Sequence, residues 1–535
     1  MSFEYTTEQK DAIAQAGNMV IVACPGSGKT TVIVEKIKQD LISLPQYQGI
    51  IGITFTKKAS KEITQKIAKG CFNTNSSFIG TIDQFCLSEI IYPFGRHAFS
   101  MPHQELECIK FEDLPQSVLD ELQSNFGANN VGQISSNLIE VSQFLFMKGI
   151  VLLNFTSQLA QLVLSKSNSC QRYIAARYKA IYIDEYQDTS SEQHQLFLSI
   201  LNYGLKGIVV GDINQSIYKW RDGKPEYLLQ LSERNDFAKH TIYINHRCHP
   251  SITNYANRLL EPNSQLTKCD HKRIYHARFT GTQLDAFKQI EQIVYKLREK
   301  YTDLKYSDIA ILVRNNSSLE LFDEHLPLPH VVYRENPLHN SNSSHLQMCH
   351  DILKFRYDLA WSATDIVEKY CEKKSQKHKS QLIDVIKICR DIEQSALAIY
   401  IKNLCPLLLE SELAQTEFEI LSQVIENKKF INMYTTTESI NVMTVHKSKG
   451  LEFKAVFIMD LYQYIFPKYD FTTWEIDDYE QELNLLFVGV TRAINHCFLI
   501  TTTSRLNSNL ELKNGAPSVF MELPSIKGLY TDLTR

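Results

Sequence analysis

Between Gly281 and Gly450 the chain has no glycine at all. Loops that cradle phosphates need glycine's backbone freedom, so none is expected there, and the stretch suits helices. The twelve cysteines never pair as C-x-x-C. That argues against a zinc ribbon, an iron–sulfur cluster or a disulfide framework, and for a reducing, cytoplasmic setting. Cys269, His271 and His276 come nearest to a ligand cluster, but a fourth ligand at useful spacing is missing. No apolar run is long enough to span a bilayer, and the opening MSFEYTTEQK lacks the order of a signal peptide, so no membrane partner is expected. Charge of one sign is not in excess: the formal net charge is -4. A nucleic-acid partner would therefore have to be met by a local basic path.

What is present is an ordinary globular composition, 44% hydrophobic and 22% charged, over 535 residues, too many for one core. The first ~90 residues alternate apolar runs with helical periods, the mark of a parallel α/β sheet. Met19–Ala23 (MVIVA) and Gly49–Phe55 read as strands, with helices over Thr30–Leu41 and Ala59–Ile67. From Leu106 to Tyr178 helical periods dominate, and strands return at Ala180–Ile183 and Gly207–Val210. A second α/β unit is expected to begin near Thr241–Ile244 (TIYI). It continues through Asp308–Val313 and His330–Tyr333, then Ser439–Val445, Ala455–Met459 and Cys497–Thr501. A helical block from about His345 to Glu426 interrupts it.

ACPGSGKT, Ala23–Thr30, follows a strand and precedes a helix, which is the context of a P-loop. Backbone N–H groups of Gly26, Ser27 and Gly28 can wrap phosphates, and the helix N-terminus adds a favourable dipole. Lys29 supplies a point charge and Thr30 a hydroxyl for magnesium. Ala23 stands where the pattern has its first glycine. IYIDEYQD, Ile181–Asp188, ends an apolar strand in two carboxylates, as a Walker B site does: Asp184 for magnesium, Glu185 to activate water. A guanine-reading motif is missing; TKCD, Thr267–Asp270, lies in the wrong order. A third segment, GDINQSIYKWRDG from Gly211 to Gly223, places large aromatics beside charge at a strand end, where open α/β sheets bind ligands.

Taken in order, these motifs resemble the UvrD/Rep/PcrA group of superfamily 1A DNA helicases over nearly the whole chain. YTTEQKDA, Tyr5–Ala12, is similar to the Q motif, ACPGSGKT to motif I, TFTKKASKE (Thr54–Glu62) to motif Ia, and GTIDQF (Gly80–Phe85) to the next DNA-contacting motif. DEYQD is similar to motif II, GDINQSIYKWR to motif III, NHRC (Asn245–Cys248) to motif IV, TVHKSKGLEF (Thr444–Phe453) to motif V, and LFVGVTRA (Leu486–Ala493) to motif VI. The resemblance implies two RecA-like P-loop NTPase motor domains, each a parallel sheet flanked by helices and carrying a mainly helical insertion. Domain 1A would be residues 1–90 and 176–242, insertion 1B 91–175, domain 2A 243–360 and 436–510, insertion 2B 361–435, and a tail 511–535.

The resemblance also implies ATP as substrate, with Mg2+, hydrolysed to ADP and phosphate in the cleft between the motor domains. Gln9 would read adenine, and His246 stands where close relatives carry tyrosine on the adenine face. The loop residues Ala23, Cys24, Pro25 and Thr31 would join the phosphate cradle, and Glu452 would hold the ribose. Gln215 would sense the γ-phosphate, while Arg247 and Arg492 would neutralise charge on it as it transfers. Thr54, Phe55, Lys57, Thr81, Tyr218, Trp220, Arg221 and His446 would line a single-strand DNA path. Trp220 would be a plate on which any base stacks, at about 1–3 kcal/mol per base.

This chain departs from the group in two places. EQELNLLFVGVTRA carries Leu483 and Asn484 where close relatives have arginines, and the second helical block is short and glycine-free. Its compactness is similar to that of the UvrD-like GajB subunits of Gabija anti-phage systems, which work beside an OLD-family nuclease. The leading expectation is an ATP-dependent 3′-to-5′ translocase and helicase on single-stranded or tailed duplex DNA, in anti-phage defence or DNA repair. The second is a DNA-stimulated ATPase subunit with little unwinding that senses DNA ends and activates a nuclease partner. A third is an enzyme acting on RNA.

Overall fold

The computed structural model describes residues 4–534 except 69–73, 75, 100, 103–104, 218–222, 339–342, 360, 372–373, 436–437 and 469–475. The chain divides into two compact units, Met1–Cys248 with Glu475–Phe487, and His249–Trp474 with Val488–Arg535. Among the described residues no helix is long and apolar enough to cross a membrane.

The first unit is built on β1 (Met19–Ala23), β2 (Gly49–Ile53) and β3 (Phe78–Gly80), followed by a small parallel pair, β4 (Glu107–Ile109) and β5 (Ile150–Leu152). It continues with β6 (Tyr178–Ile183), β7 (Lys206–Gly211) and β8 (Ala238–Ile242). Its main sheet has the order β3-β2-β6-β7-β1-β8, every pair parallel. MVIVA, GIIGI and GIVVG read as unbroken apolar runs because both faces are covered. On one face Ala12, Val32, Ile33, Ile37, Ile63 and Ile67 pack on Ile21, Ile50 and Val210. On the other, the sheet shares one core with the helical stretch between β3 and β6, from Phe85 and Ile90 through Leu145 and Leu159 to Ile174.

One strand reading is corrected. The strand near Thr241–Ile244 does not open the second sheet. It is β8, Ala238–Ile242, and it closes the edge of the first, with Met19 opposite Ala238 and Ala23 opposite Ile242. Its half-exposed sequence AKHTI is that of an edge strand, which lacks the double apolar cover of a central one.

The second unit carries β9 (Ile274–Phe279), β10 (Ile309–Val313), β11 (His330–Val332), β12 (Ile440–Thr444), β13 (Phe453–Ile458), β14 (Ala493–Thr502), a hairpin of β15 (Ser504–Leu506) and β16 (Leu512–Asn514), and β17 (Thr531–Thr534). Its main sheet runs β11-β12-β10-β13-β14-β9-β17, again all parallel. The segment expected as a tail thus supplies an edge strand, β17, beside β9. Between β11 and β12 helices follow one another, among them Ser344–Tyr357, Gln394–Leu409 and Gln415–Glu426. They enclose a core of their own, including Met348, Ile352, Ile401, Leu404 and Leu421.

Candidate functional site

Parallel strands end on one edge of a sheet, and neighbours lie about 4.8 Å apart. β6, β7 and β1 are consecutive in the first sheet, so the segments leaving their C-terminal ends converge. Those segments are the glycine loop after Ala23, the Asp184–Glu185 pair after Ile183, and Asp212 after Gly211.

The loop is held open by backbone that favours glycine. Gly26 has φ +66° and Gly28, the N-cap of the helix Lys29–Ser43, φ +81°. A Cβ on Gly26 would stand 2.5 Å from the Arg247 Cβ and 2.8 Å from Asn245 Oδ1. The segment 245–247 is fastened to this loop: the His246 N–H donates to the Gly26 carbonyl (2.9 Å), and Asn245 Oδ1 accepts the N–H groups of Arg247 (2.8 Å) and Cys248 (2.9 Å). Gln9 meets it from the other side, its Nε2 donating to the Ser27 carbonyl at 2.8 Å. Pro25 and Ser27 are buried. The Cys24 thiol, pushed up to about 12 chiefly by burial, stays protonated and donates to the Tyr243 carbonyl (3.1 Å).

Lys29 is buried and lies 3.7 Å from Asp212 Oδ2. The same Asp212 oxygen accepts Gln215 Nε2 at 2.6 Å. Burial raises the Asp212 carboxyl, against the pull of Lys29. Asp184 is buried too, and burial together with the neighbouring Glu185 charge pushes its carboxyl up to about 7 while Lys29 opposes the rise. Glu185 is in the left-handed backbone region (φ 55°), and its Oε2 accepts Gln187 Nε2 at 2.5 Å. Gln187 Oε1 in turn accepts the Asp212 N–H (2.9 Å). The first unit therefore brings Lys29, Asp184, Glu185, Asp212 and Gln215 into one connected cluster. Asp212, Gln187 and Asn245 received no role from the sequence. Each sits inside a quoted motif; Asp212 meets Lys29, and Gln187 meets Asp212, across the ends of neighbouring strands, whereas Asn245 bonds the N–H groups of its own segment.

The donor set fits a magnesium-bound triphosphate. Ser27 Oγ is buried with no hydrogen-bond partner among the described residues, in a loop whose two glycines leave room no Cβ could share. The Asp184 carboxylate, costly to keep charged in its burial, gains from a cation beside it, and Thr30 starts the same helix as Lys29.

In the second unit Arg492 is 1% exposed. Its guanidinium donates to the Val488 carbonyl (3.0 Å), the Leu451 carbonyl (3.2 Å) and Thr491 Oγ1 (3.4 Å). Glu452, which follows Leu451, is exposed. His446 lies just after β12, its imidazole lowered to about 4 by burial and by Arg314 and Lys449, so it meets neutral pH uncharged.

Of the DNA-path expectations, Thr54 is buried, its hydroxyl 2.5 Å from Ser60 Oγ and donating to the Thr56 carbonyl (3.0 Å). Phe55 is half-buried. Thr81 caps the short helix Ile82–Phe85 in a capping box with Gln84. Tyr218, Trp220 and Arg221 lie outside the described residues, as does the side chain of Lys57.

Of the possible zinc ligands, His276 is otherwise engaged: its Nε2 is 2.8 Å from the Tyr255 hydroxyl and its ring stacks on Tyr530.

Comparison with known proteins bears on the whole chain. The UvrD/REP helicase N-terminal domain matches residues 5–105 and 101–238, and the UvrD-like helicase C-terminal domain matches residues 345–504. Gabija protein GajB of Bacillus cereus (strain VD045) is 28% identical over 512 residues, covering 94% of this chain and 97% of its own. The ATP-dependent DNA helicase PcrA of Staphylococcus epidermidis is 23% identical over 637 residues, with 97% of this chain and 86% of its own covered. The ATP-dependent DNA helicase Rep of Buchnera aphidicola is 26% identical over 658 residues, with 96% of each covered.

Proposed function

The chain belongs to the UvrD/Rep family of ATP-dependent DNA helicases, and from that premise we propose that it is a 3′-to-5′ single-stranded DNA translocase of anti-phage defence, working with a nuclease partner. The observation that carries the chemical part is the cluster of Lys29, Asp184, Glu185, Asp212 and Gln215 at one sheet edge. The likeness to Gabija protein GajB over nearly the full length of both chains supports the defensive role.

In this reading the N–H groups of Gly26, Ser27 and Gly28 bind the phosphates, and Lys29 exchanges Asp212 for a phosphate oxygen. Thr30 and Asp184 hold Mg2+, which supplies positive charge to the phosphate oxygens when bound. Glu185 accepts the proton of the attacking water, held in orientation by Gln187. Gln9 and His246 face the base, Glu452 the ribose. Gln215, Arg247 and Arg492 answer to the terminal phosphate, with Ala23, Cys24, Pro25 and Thr31 completing the cradle. Thr54, Phe55, Lys57, Thr81, Tyr218, Trp220, Arg221 and His446 contact the strand. The uncharged His446 contributes by stacking or hydrogen bonding, not by neutralising phosphate.

One observation favours the second reading, an ATPase that unwinds little and activates a nuclease. The alignment with Rep runs over 658 positions against the 535 residues of this chain, so Rep carries segments that this chain lacks. The test is ATP hydrolysis with and without single-stranded DNA, then strand displacement on duplexes tailed at the 3′ or the 5′ end. Displacement from 3′ tails alone supports the translocase. DNA-stimulated hydrolysis with no displacement supports the second reading, and hydrolysis indifferent to DNA defeats both.

A further inference from the structure

The helix Thr7–Ala14, which carries Gln9, is only 8 residues long. Helices this short are marginal on their own, so where it sits is decided by what ties it down. Its N-terminal end is closed by a capping box, the Thr6 side chain accepting from Gln9 N while the Thr6 N–H donates to Gln9 Oε1 (3.0 Å). The amide nitrogen of Gln9, Nε2, donates to the Ser27 carbonyl of the glycine loop. The C-terminal end has no basic residue in its last turn. Its last carbonyls, and the partial negative charge they carry, need a donor from elsewhere.

That donor is Lys36. Its Nζ donates to the Ile13 carbonyl at 3.1 Å and to the Gln15 carbonyl. Lys36 is 8% exposed, in the middle of the helix Lys29–Ser43, where a lysine is uncommon. It stands seven residues, hence about two turns or ~10.5 Å, beyond Lys29 on the same face. The helix that begins at the glycine loop thus also grips the far end of the helix that carries Gln9. Tyr5, just before that helix, adds a contact from its hydroxyl to Glu35 Oε2 (3.5 Å). The helix that carries Gln9 is thus tied at two points of the loop-and-helix element, through the Gln9 amide to Ser27 and through its C-terminal carbonyls to Lys36.

We infer that Lys36 is a positioning residue for nucleotide selection: by capping the carbonyls of Ile13 and Gln15 it fixes the helix Thr7–Ala14 so that Gln9 presents its amide to the base at a set distance from the phosphate loop. The inference rests on the reading that Gln9 recognises adenine. Removing the ammonium leaves the phosphate contacts intact and lets the Gln9 helix slide, so the loss falls on base discrimination and KM rather than on kcat.

The experiment uses the full chain with saturating single-stranded DNA and compares kcat and KM for ATP and GTP in the parent, Q9A, K36M, K36R and the double variant Q9A/K36M. Q9A lowers the ATP-over-GTP preference in kcat/KM at least tenfold. K36M lowers it about fivefold through KM, with kcat within twofold. K36R, which keeps a cationic donor, stays within twofold of the parent. K36M on top of Q9A adds less than twofold, because it acts through Gln9. If K36M does not fold, K36Q takes its place: its shorter neutral amide cannot reach both carbonyls and lowers the preference at least threefold. A preference unchanged in K36M, or in K36Q where that replaces it, while Q9A loses its own, overturns the inference alone. A preference unchanged in Q9A removes the reading of Gln9 and the inference with it.

Discussion

Lys29 and Asp212 form a buried ion pair, Nζ to Oδ2 3.7 Å, with side chains 10% and 3% exposed. They are 183 positions apart in the chain, and they meet because β7 lies beside β1 in the sheet. Two roles are therefore combined in one lysine, a proposed phosphate ligand and the counter-charge of a buried carboxylate.

Removing one partner of a buried pair leaves the other uncompensated, at about 3–5 kcal/mol. K29M is expected to abolish ATP hydrolysis, by at least a thousandfold, and also to lower the melting temperature by several degrees when no nucleotide is added. K29M/D212N should recover most of the melting temperature and none of the turnover. Calorimetry with an ATPase assay separates the two effects. An unchanged melting temperature in K29M would show that the pair carries no stability.

Acid sensitivity should arise in the second unit. His276, 8% exposed, has its imidazole lowered to about 3 by burial, and His496 is lowered to about 4 by burial and by Arg273 and Lys300. Both are neutral in the folded protein and charge readily once unfolded, where histidine titrates near 6.5. The stability they contribute is complete above pH 6.5 and is lost as the pH falls toward 3 to 4, at ~2 kcal/mol per group at pH 5. The melting temperature should fall steeply between pH 7 and pH 5, and less steeply in H276Q, measured against the parent at each pH. An equal slope in the two proteins would place the acid sensitivity elsewhere.

Trp220 is expected to serve the strand and not the nucleotide. W220A should keep DNA-independent hydrolysis within twofold and weaken single-stranded DNA affinity by the ~1–3 kcal/mol of one stacked base, roughly five- to 150-fold. Fluorescence anisotropy on an oligothymidine, read beside the ATPase rate, checks both halves. Full DNA-stimulated turnover at unchanged affinity would end the stacking role.

What the amino-acid sequence shows by itself is local chemistry. Gly26, Gly28, Lys29 and Thr30 are consecutive or nearly so, and their backbone geometry follows from that short sequence. Asp184 was equally readable, as the carboxylate after an apolar strand. Its environment was not, because that depends on Lys29 and on burial by other elements. The partnership of Lys29 with Asp212 depends on strand order, which no short window contains. The sheet to which β8 belongs is not legible in its sequence, because an edge strand of half-exposed residues has no pattern naming its neighbour. Thr81 shows the opposite hazard: T-x-x-Q is a helix-capping pattern in its own right, and here its hydroxyl accepts the Gln84 N–H.

Gln187 is the residue through which the ends of β6 and β7 speak to each other. It is fully buried, donates to Glu185 Oε2 and accepts the Asp212 N–H, so its one amide spans the proposed base and the segment that leads to Gln215. The fit is close enough that a Cβ on Gly211 would lie 2.6 Å from Gln187 Oε1. Q187M, similar in length and unable to accept or donate strongly, leaves the Asp212 N–H without that acceptor at about 1–3 kcal/mol and lets the Glu185 carboxylate rotate. The expected result is a kcat lowered tenfold or more, with KM for ATP changed less than threefold, since the phosphate loop is untouched. G211A approaches the same amide from the other strand and should lower kcat in the same direction with KM again nearly constant. Steady-state kinetics on both variants, with melting temperatures to confirm folding, is the measurement. A loss confined to KM in either would mean that Gln187 supports the loop and not the orientation of Glu185.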